Sequence, residues 1–155
     1  MKVHTYEKAF LITGGIVLAM CASALAYATF GMGMHLPGRV AQIDPSKVYS
    51  TAPFSTPGVH KMPDGSYQVI LVAQAWAFMP SEIRVPRNTV VNFTATSVDV
   101  IHGFEIERTR VNMMLIPGQI GQITHTFRDP GEYLLLCHEY CGAGHHTMFG
   151  KVIVE

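Results

Sequence analysis

QITHTFRDPGEYLLLC, from Gln122 to Cys137, is the stretch on which the fold turns. Ile123, His125 and Phe127 alternate with polar neighbours, the period of a strand with one buried face. Asp129-Pro130-Gly131 supplies a turn, and Tyr133-Leu134-Leu135-Leu136 opens a second strand that runs into Cys137. Upstream, Tyr67–Ala73, Thr89–Thr96 (with Val91, Phe93 and Ala95 alternating) and Val100–Ile106 read the same way; downstream, Lys151–Val154 closes the chain. Short β-type runs separated by Pro and Gly predict one all-β sandwich or barrel over residues 58–155. No amphipathic helical periodicity interrupts it.

A chain of 155 residues has room for one such domain and a little more. Eleven Lys+Arg balance eleven Asp+Glu, so the basic excess of a nucleic-acid binder is missing. The composition is 48% hydrophobic and only 14% charged, too apolar for disorder. Much of the apolar excess lies in one place. No Asp, Glu, Lys or Arg occurs between Lys8 and Arg39, and Ala9–Phe30 reads AFLITGGIVLAMCASALAYATF. At about 1.5 Å per residue this run spans roughly 33 Å, enough for a bilayer core of about 30 Å.

A cleaved signal peptide is the competing reading, with Ala24-Leu25-Ala26 as the cut. The run is longer than a signal core and continues past that site, so a retained anchor is expected. Lys2 and Lys8 precede it and orient the N-terminus inward. The expected organisation is a cytoplasmic N-terminus over 1–8, a transmembrane helix over 9–34, a Pro/Gly/Ser/Thr-rich linker over 35–57, and an outer domain over 58–155.

Chemistry concentrates in Cys137-His138-Glu139-Tyr140-Cys141-Gly142-Ala143-Gly144-His145-His146-Thr147-Met148. Thiolate and thioether donors combined with imidazole select copper over hard cations. Zinc accepts two Cys and two His but gains nothing from Met148. Iron–sulfur clusters want different spacings. A Cys137–Cys141 disulfide is permitted in an exported domain, yet it explains neither the His-x-x-Met that follows nor the two glycines. A mononuclear blue-copper site uses one Cys, so the second thiolate must be placed. If both sulfurs bridge two coppers, each copper needs one His. His145 supplies one from the loop, and His102, in an otherwise apolar strand, is nominated as the other. Gly103 beside it permits close approach of another segment.

Val100-Ile101-His102-Gly103-Phe104 followed by Cys137-x-Glu139-x-Cys141-Gly-x-Gly-His145-x-x-Met148 resembles the CuA domain of heme–copper oxidase subunit II. The single helix makes the chain most similar to the short subunit II of B-type cytochrome c oxidases. The resemblance implies an all-β cupredoxin-like Greek-key barrel with one N-terminal transmembrane helix. It also implies a binuclear copper CuA centre bridged by Cys137 and Cys141. His102 and His145 would bind one copper each, with Met148 a weak ligand and Glu139 ligating through its backbone carbonyl. The implied partners are a heme-bearing subunit I, small helical subunits, and cytochrome c or a small copper protein (a cupredoxin) as electron donor. The implied location is a bacterial or archaeal plasma membrane, single-pass, with the C-terminal domain on the periplasmic or outer side. A copper carrier and a free-standing cupredoxin are the alternative functions.

Further residues carry weaker expectations. Trp76, the only Trp, resembles the family's aromatic gateway for electrons; core packing is its other reading. Phe78, Met79, Met113 and Met114 are expected to form an apolar docking patch. Tyr6-Glu7-Lys8 resembles a segment where the family places a carboxylate at a proton-uptake entrance, making Glu7 a candidate against an ordinary interfacial anchor. Glu139 opens a possible Mg2+ site shared with subunit I. Asp99 is expected either to orient His102 or to cap a turn. His138 and His146 are read as neighbours of ligands or as solvent-facing, and Cys21, His4, His35, His60 and His125 have no ligand-like context.

Overall fold

The computed structural model describes residues 4–32 and 38–155, which fall into two units divided after residue 36. The first unit is one helix, α1 (Thr5–Ala26), continued by a π-helical turn over Tyr27–Gly31. It starts earlier than expected because the Glu7 carboxylate accepts a hydrogen bond from the His4 backbone N–H at 2.8 Å, satisfying an amide that helix geometry leaves unpaired. Tyr6, Glu7 and Lys8 are therefore helical. Thr5–Gly31 is long and apolar enough to cross a membrane. None of the helix side chains is buried within the chain, although the helix is apolar all round. Met1–Val3, the expected helix end at Gly33–Met34 and the expected linker start at His35–Pro37 lie outside the described residues.

The second unit is two β-sheets packed face to face. One contains β1 (Gly38–Gln42), β9 (Gln119–Thr126), β6 (Val90–Ser97), β3 (Tyr67–Gln74) and β2 (Gly58–Lys61) in that order, with β4 (Ala77–Met79) also paired to β3. The other runs β5 (Glu82–Val85), β11 (Phe149–Val154), β10 (Gly131–Leu136), β7 (His102–Ile106) and β8 (Asn112–Leu115). Strands β3 and β6 pair in parallel, as do β5 and β11; neighbours that are not consecutive in sequence require the crossovers of a Greek-key arrangement. Inward residues alternate as the sequence reading requires. Val91, Phe93 and Ala95 of β6 meet Phe104 and Ile106 of β7 and Leu135 of β10 in one apolar cluster. Phe93 and Phe104 pack with ring centres 5.5 Å apart, each buried aromatic contributing about 1.5–3 kcal/mol.

Residues 38–57, expected as part of a linker, are instead folded onto the domain. β1 pairs antiparallel with β9. Asp44 then caps a short 3-10 helix (Pro45–Ser50) by accepting from the Ser46 N–H at 3.0 Å, with Pro45 in the first helical position. Val48 and Phe54 are fully buried in a second apolar cluster with Ile43, Ile70 and Val72. The sheet containing β3 is thus covered on both faces. This explains why Val69–Ala73 form an unbroken apolar run rather than an alternating one.

β10 and β11 form a hairpin paired from Gly131↔Val154 to Leu136↔Phe149. Cys137–Met148 is the connection at its end. Because β7 runs antiparallel to β10, pairing Glu105 with Leu136, the start of β7 at His102 lies at that same end. The fold thereby delivers a strand residue and a loop to one place.

Candidate metal centre

The Cys137–Met148 loop is closed at its base by the Cys137 N–H donating to the Met148 carbonyl at 3.3 Å. Tight turns shape it inside: the His145 N–H donates to Gly142 O at 3.0 Å and the Met148 N–H to His145 O at 3.1 Å. Cys137, Cys141 and Met148 are buried at the edge of the main apolar cluster, and His102 is fully buried.

Their donor atoms meet. Cys137 Sγ lies 3.9 Å from His102 Nδ1, 3.8 Å from Cys141 Sγ and 3.3 Å from the Glu139 carbonyl oxygen. Cys141 Sγ lies 3.5 Å from His145 Nδ1 and 3.6 Å from Met148 Sδ. Both cysteines are free, so the disulfide reading does not describe this loop, whose sulfurs stand far beyond the bonded distance of about 2 Å. The spacings are those of donors that share a metal ion. Burial, helped by the adjacent Cys137 thiol, pushes the Cys141 thiol up to about 11, so a metal must displace its proton to bind. Soft sulfur and imidazole donors in a buried, preformed cluster fit copper.

Asp99 performs both tasks expected of it. Its Oδ1 accepts from His102 Nε2 at 2.8 Å and from the Val100 N–H at 2.7 Å, while Oδ2 accepts from the Ala75 N–H at 2.6 Å. A carboxylate can only accept, so Nε2 is the donor to Asp99, and Nδ1 is the ring nitrogen that faces Cys137. Partial burial disfavours the Asp99 carboxylate, but the bonds from His102, Ala75 and Val100 outweigh it and hold its carboxyl below the usual range.

Trp76 occupies the turn between β3 and β4 and is 44% exposed, so it is not a core residue. Its indole N–H donates to the Cys141 carbonyl at 3.1 Å. The ring rests on Gly142 and Gly144; a Cβ on Gly144 would lie 2.4 Å from Trp76 Cδ2. The expected docking patch needs correction. Phe78 and Met113 are buried core residues, whereas Met79 and Met114 are exposed, because successive strand residues point to opposite faces. Val100 and Ile101, which sequence reasoning did not place there, are exposed beside His102.

Sequence reasoning also missed the seat of His138, whose backbone and ring lie against Gly103 and whose Nε2 is buried without a hydrogen-bond partner. The signal available was Gly103 itself. It missed Tyr140 too, which sets its ring edge-on to His145 at 5.9 Å. His146 is exposed, His60 bonds the Thr56 carbonyl, His125 packs on Phe127, and Cys21 sits on the exposed surface of α1.

Residues 67–155 match the family described as cytochrome C oxidase subunit II, periplasmic domain. The chain is 36% identical over 157 aligned residues to cytochrome c oxidase subunit 2 of Thermus thermophilus, covering 99% of this chain and 94% of that one. The chain belongs to the cytochrome c oxidase subunit II family. A chain in the cryo-EM structure of a heme-copper terminal oxidase dimer superposes with a TM-score of 0.77 at 36% identity, over 97% of this chain and 99% of the other. The periplasmic domain of the Bradyrhizobium japonicum oxidase subunit II superposes over 57% of this chain and 83% of its own, with a TM-score of 0.53 at 21% identity, a likeness of fold alone. As a cytochrome c oxidase subunit II, the chain is part of a membrane oxidoreductase. It serves as the subunit through which electrons enter, ahead of the copper carrier and free cupredoxin alternatives.

Proposed function

We propose that the chain accepts electrons at a binuclear copper centre. Cys137 and Cys141 would be shared ligands, His102 and His145 would bind one copper each, Met148 would be a weak ligand, and Glu139 would contribute its backbone carbonyl. The order of the donors carries this reading. His102, Cys137, Cys141 and His145 follow one another at 3.9, 3.8 and 3.5 Å, with two sulfurs in the middle and an imidazole at each end. A single tetrahedral ion gathers four donors around one point, all within about 4 Å of each other. Here the mutually close group is His102, Cys137 and Cys141, to which His145 is joined through Cys141. Two ions sharing the central sulfurs use such a row directly.

When bound, a copper pair supplies a one-electron carrier. The surrounding residues do the rest. Asp99 fixes the His102 ring, the closed loop fixes the two thiols, and a donor set this complete would leave no open position for substrate, unlike a hydrolytic metal site. Trp76 offers donors a half-exposed π system bonded to the residue of a shared thiolate. Met79, Met114, Val100 and Ile101 supply apolar contact for cytochrome c or a small copper protein, in keeping with a chain of zero formal charge.

The electrons pass to the heme groups of a subunit I for reduction of O2 to water, in a complex with small helical subunits. We place α1 as a single span of a bacterial or archaeal plasma membrane, with the β domain on the outer side. Two further roles belong to the assembled enzyme. Glu7, which caps α1, stands as a proton-uptake candidate, and the Glu139 carboxylate as one ligand of a Mg2+ ion completed by subunit I.

Copper analysis and EPR of the copper-loaded 155-residue chain test the centre. Two coppers per chain and the hyperfine pattern of an electron shared by both nuclei are expected. One copper, or an electron localised on one nucleus, overturns the reading.

A further inference from the structure

The contact between β7 and the metal loop passes through a residue with no side chain. A Cβ built on Gly103 would lie 2.5 Å from both the backbone nitrogen and the Cγ of His138, and 2.6 Å from its Nδ1. No carbon atom tolerates such separations from non-bonded neighbours, and one of the clashing atoms is backbone, which no rotamer change can remove. Gly103 adjoins His102, and His138 adjoins Cys137. The contact therefore lies one residue along each chain from the pair Nδ1–Sγ, 3.9 Å apart, that has to share a metal.

The His138 ring makes little polar use of its position. Its Nε2 is buried without a partner, and Nδ1 is 3.7 Å from the Glu139 carboxylate, beyond hydrogen-bond range. A buried unpartnered nitrogen costs stability. What His138 does supply is its backbone nitrogen and the Cγ and Nδ1 of its ring, set against the bare Cα of Gly103.

We propose that Gly103 and His138 are a positioning pair, a steric spacer that sets how far the Cys137–Cys141 loop stands from His102. The idea rests on the binuclear reading above and adds residues that bind no metal. Widening the gap draws Cys137 away from His102 while leaving Cys141, His145 and Met148, all within the loop, in register. The damage then falls on one side of the centre: the His102 copper is released, or the electron becomes unequally shared.

The test uses the 155-residue chain loaded with copper, with three readouts: the thermal midpoint of the metal-free protein, copper release to a chelator, and the EPR hyperfine pattern. Gly103→Ala is expected to speed copper release at least about tenfold, the scale seen when groups orienting metal ligands are removed, and to break the equivalence of the two nuclei. Ile83→Ala, a fully buried site in β5, is the control for lost stability alone and should leave the hyperfine pattern unchanged.

A second pair keeps the proposal testable should Gly103→Ala fail to fold. His138→Asn retains the Cγ and the adjoining polar atom that touch Gly103 and deletes the unpartnered Nε2; copper retention should match wild type. His138→Ala removes those contacts and should lose copper faster. The spacer is overturned if Gly103→Ala folds with wild-type release and spectrum, if Ile83→Ala reproduces its spectral change, or if the Asn and Ala variants behave alike. Wild-type protein holding one copper would instead sink the binuclear reading itself, which separates the two failures.

Discussion

Trp76 donates its indole N–H to the carbonyl oxygen of Cys141 at 3.1 Å while remaining 44% exposed. One side chain thus touches solvent and the metal loop together. Asp99 holds the other end of this turn through the Ala75 N–H and also grips His102. The exposed indole is consequently tied to both the strand and the loop that supply the donor atoms.

Trp76→Phe keeps an aromatic ring and removes the N–H donor, worth about 1 kcal/mol net. Stopped-flow reduction of the copper-loaded protein by its donor should slow, with copper content unchanged. Unaltered reduction kinetics would remove Trp76 from the electron path.

Gly144→Ala places a carbon where the indole lies, 2.4 Å from Cδ2. The ring must lift from the loop. Because Trp76 is the only Trp, a red-shifted fluorescence maximum and easier iodide quenching report the displacement directly. A spectrum like that of wild type would show that the loop, not the ring, gives way.

Asp99→Ala leaves the His102 Nε2–H buried and unpaired, a cost of about 1–3 kcal/mol. Copper affinity should fall about 10–100-fold, read by competition with a chelator. Asp99→Asn should fall between the two, since its carbonyl can still accept from His102 while its amide cannot accept from Ala75.

Phe54→Ala tests whether residues 43–57 belong to the domain. A fully buried Phe54 predicts a loss of about 3–5 kcal/mol in denaturant unfolding of the β domain. Under the linker expectation the change would be negligible.

Acid should destabilise the domain partly through His125, whose burial lowers its proton affinity below the usual His value. The unfolded chain takes up a proton below about pH 6.5, while the folded chain resists until lower pH. Stability from this group is therefore complete above that range and falls as pH drops through it. Thermal midpoints of His125→Gln should decline less between about pH 7 and 5; equal declines would assign the effect elsewhere.

The docking patch shows how legibility ends. Met79 and Met114 are exposed, but Phe78 and Met113, their immediate neighbours, are buried. Composition cannot distinguish them; strand parity can, and β4 and β8 are too short to announce their phase in the sequence. The same holds for residues 43–57, whose Pro and Ser content reads as linker although Asp44-Pro45 is equally a helix cap. Only the second apolar face of β3, Ile70 and Val72, which Val48 and Phe54 cover, settles which use is made of it.

The amino-acid order alone determined the strand alternation, the apolar N-terminal run, and the loop in which Cys137, Cys141, His145 and Met148 recur at short spacing, because these are properties of neighbours along the chain. The tertiary structure decided that His102 Nδ1 faces Cys137, that Asp99 holds its other nitrogen, that Trp76 lies on Gly142 and Gly144, and that His138 presses on Gly103. Each of these joins segments distant in sequence, and such contacts depend on the pairing of β7 with β10 and on the packing of one sheet against the other, which no local pattern encodes.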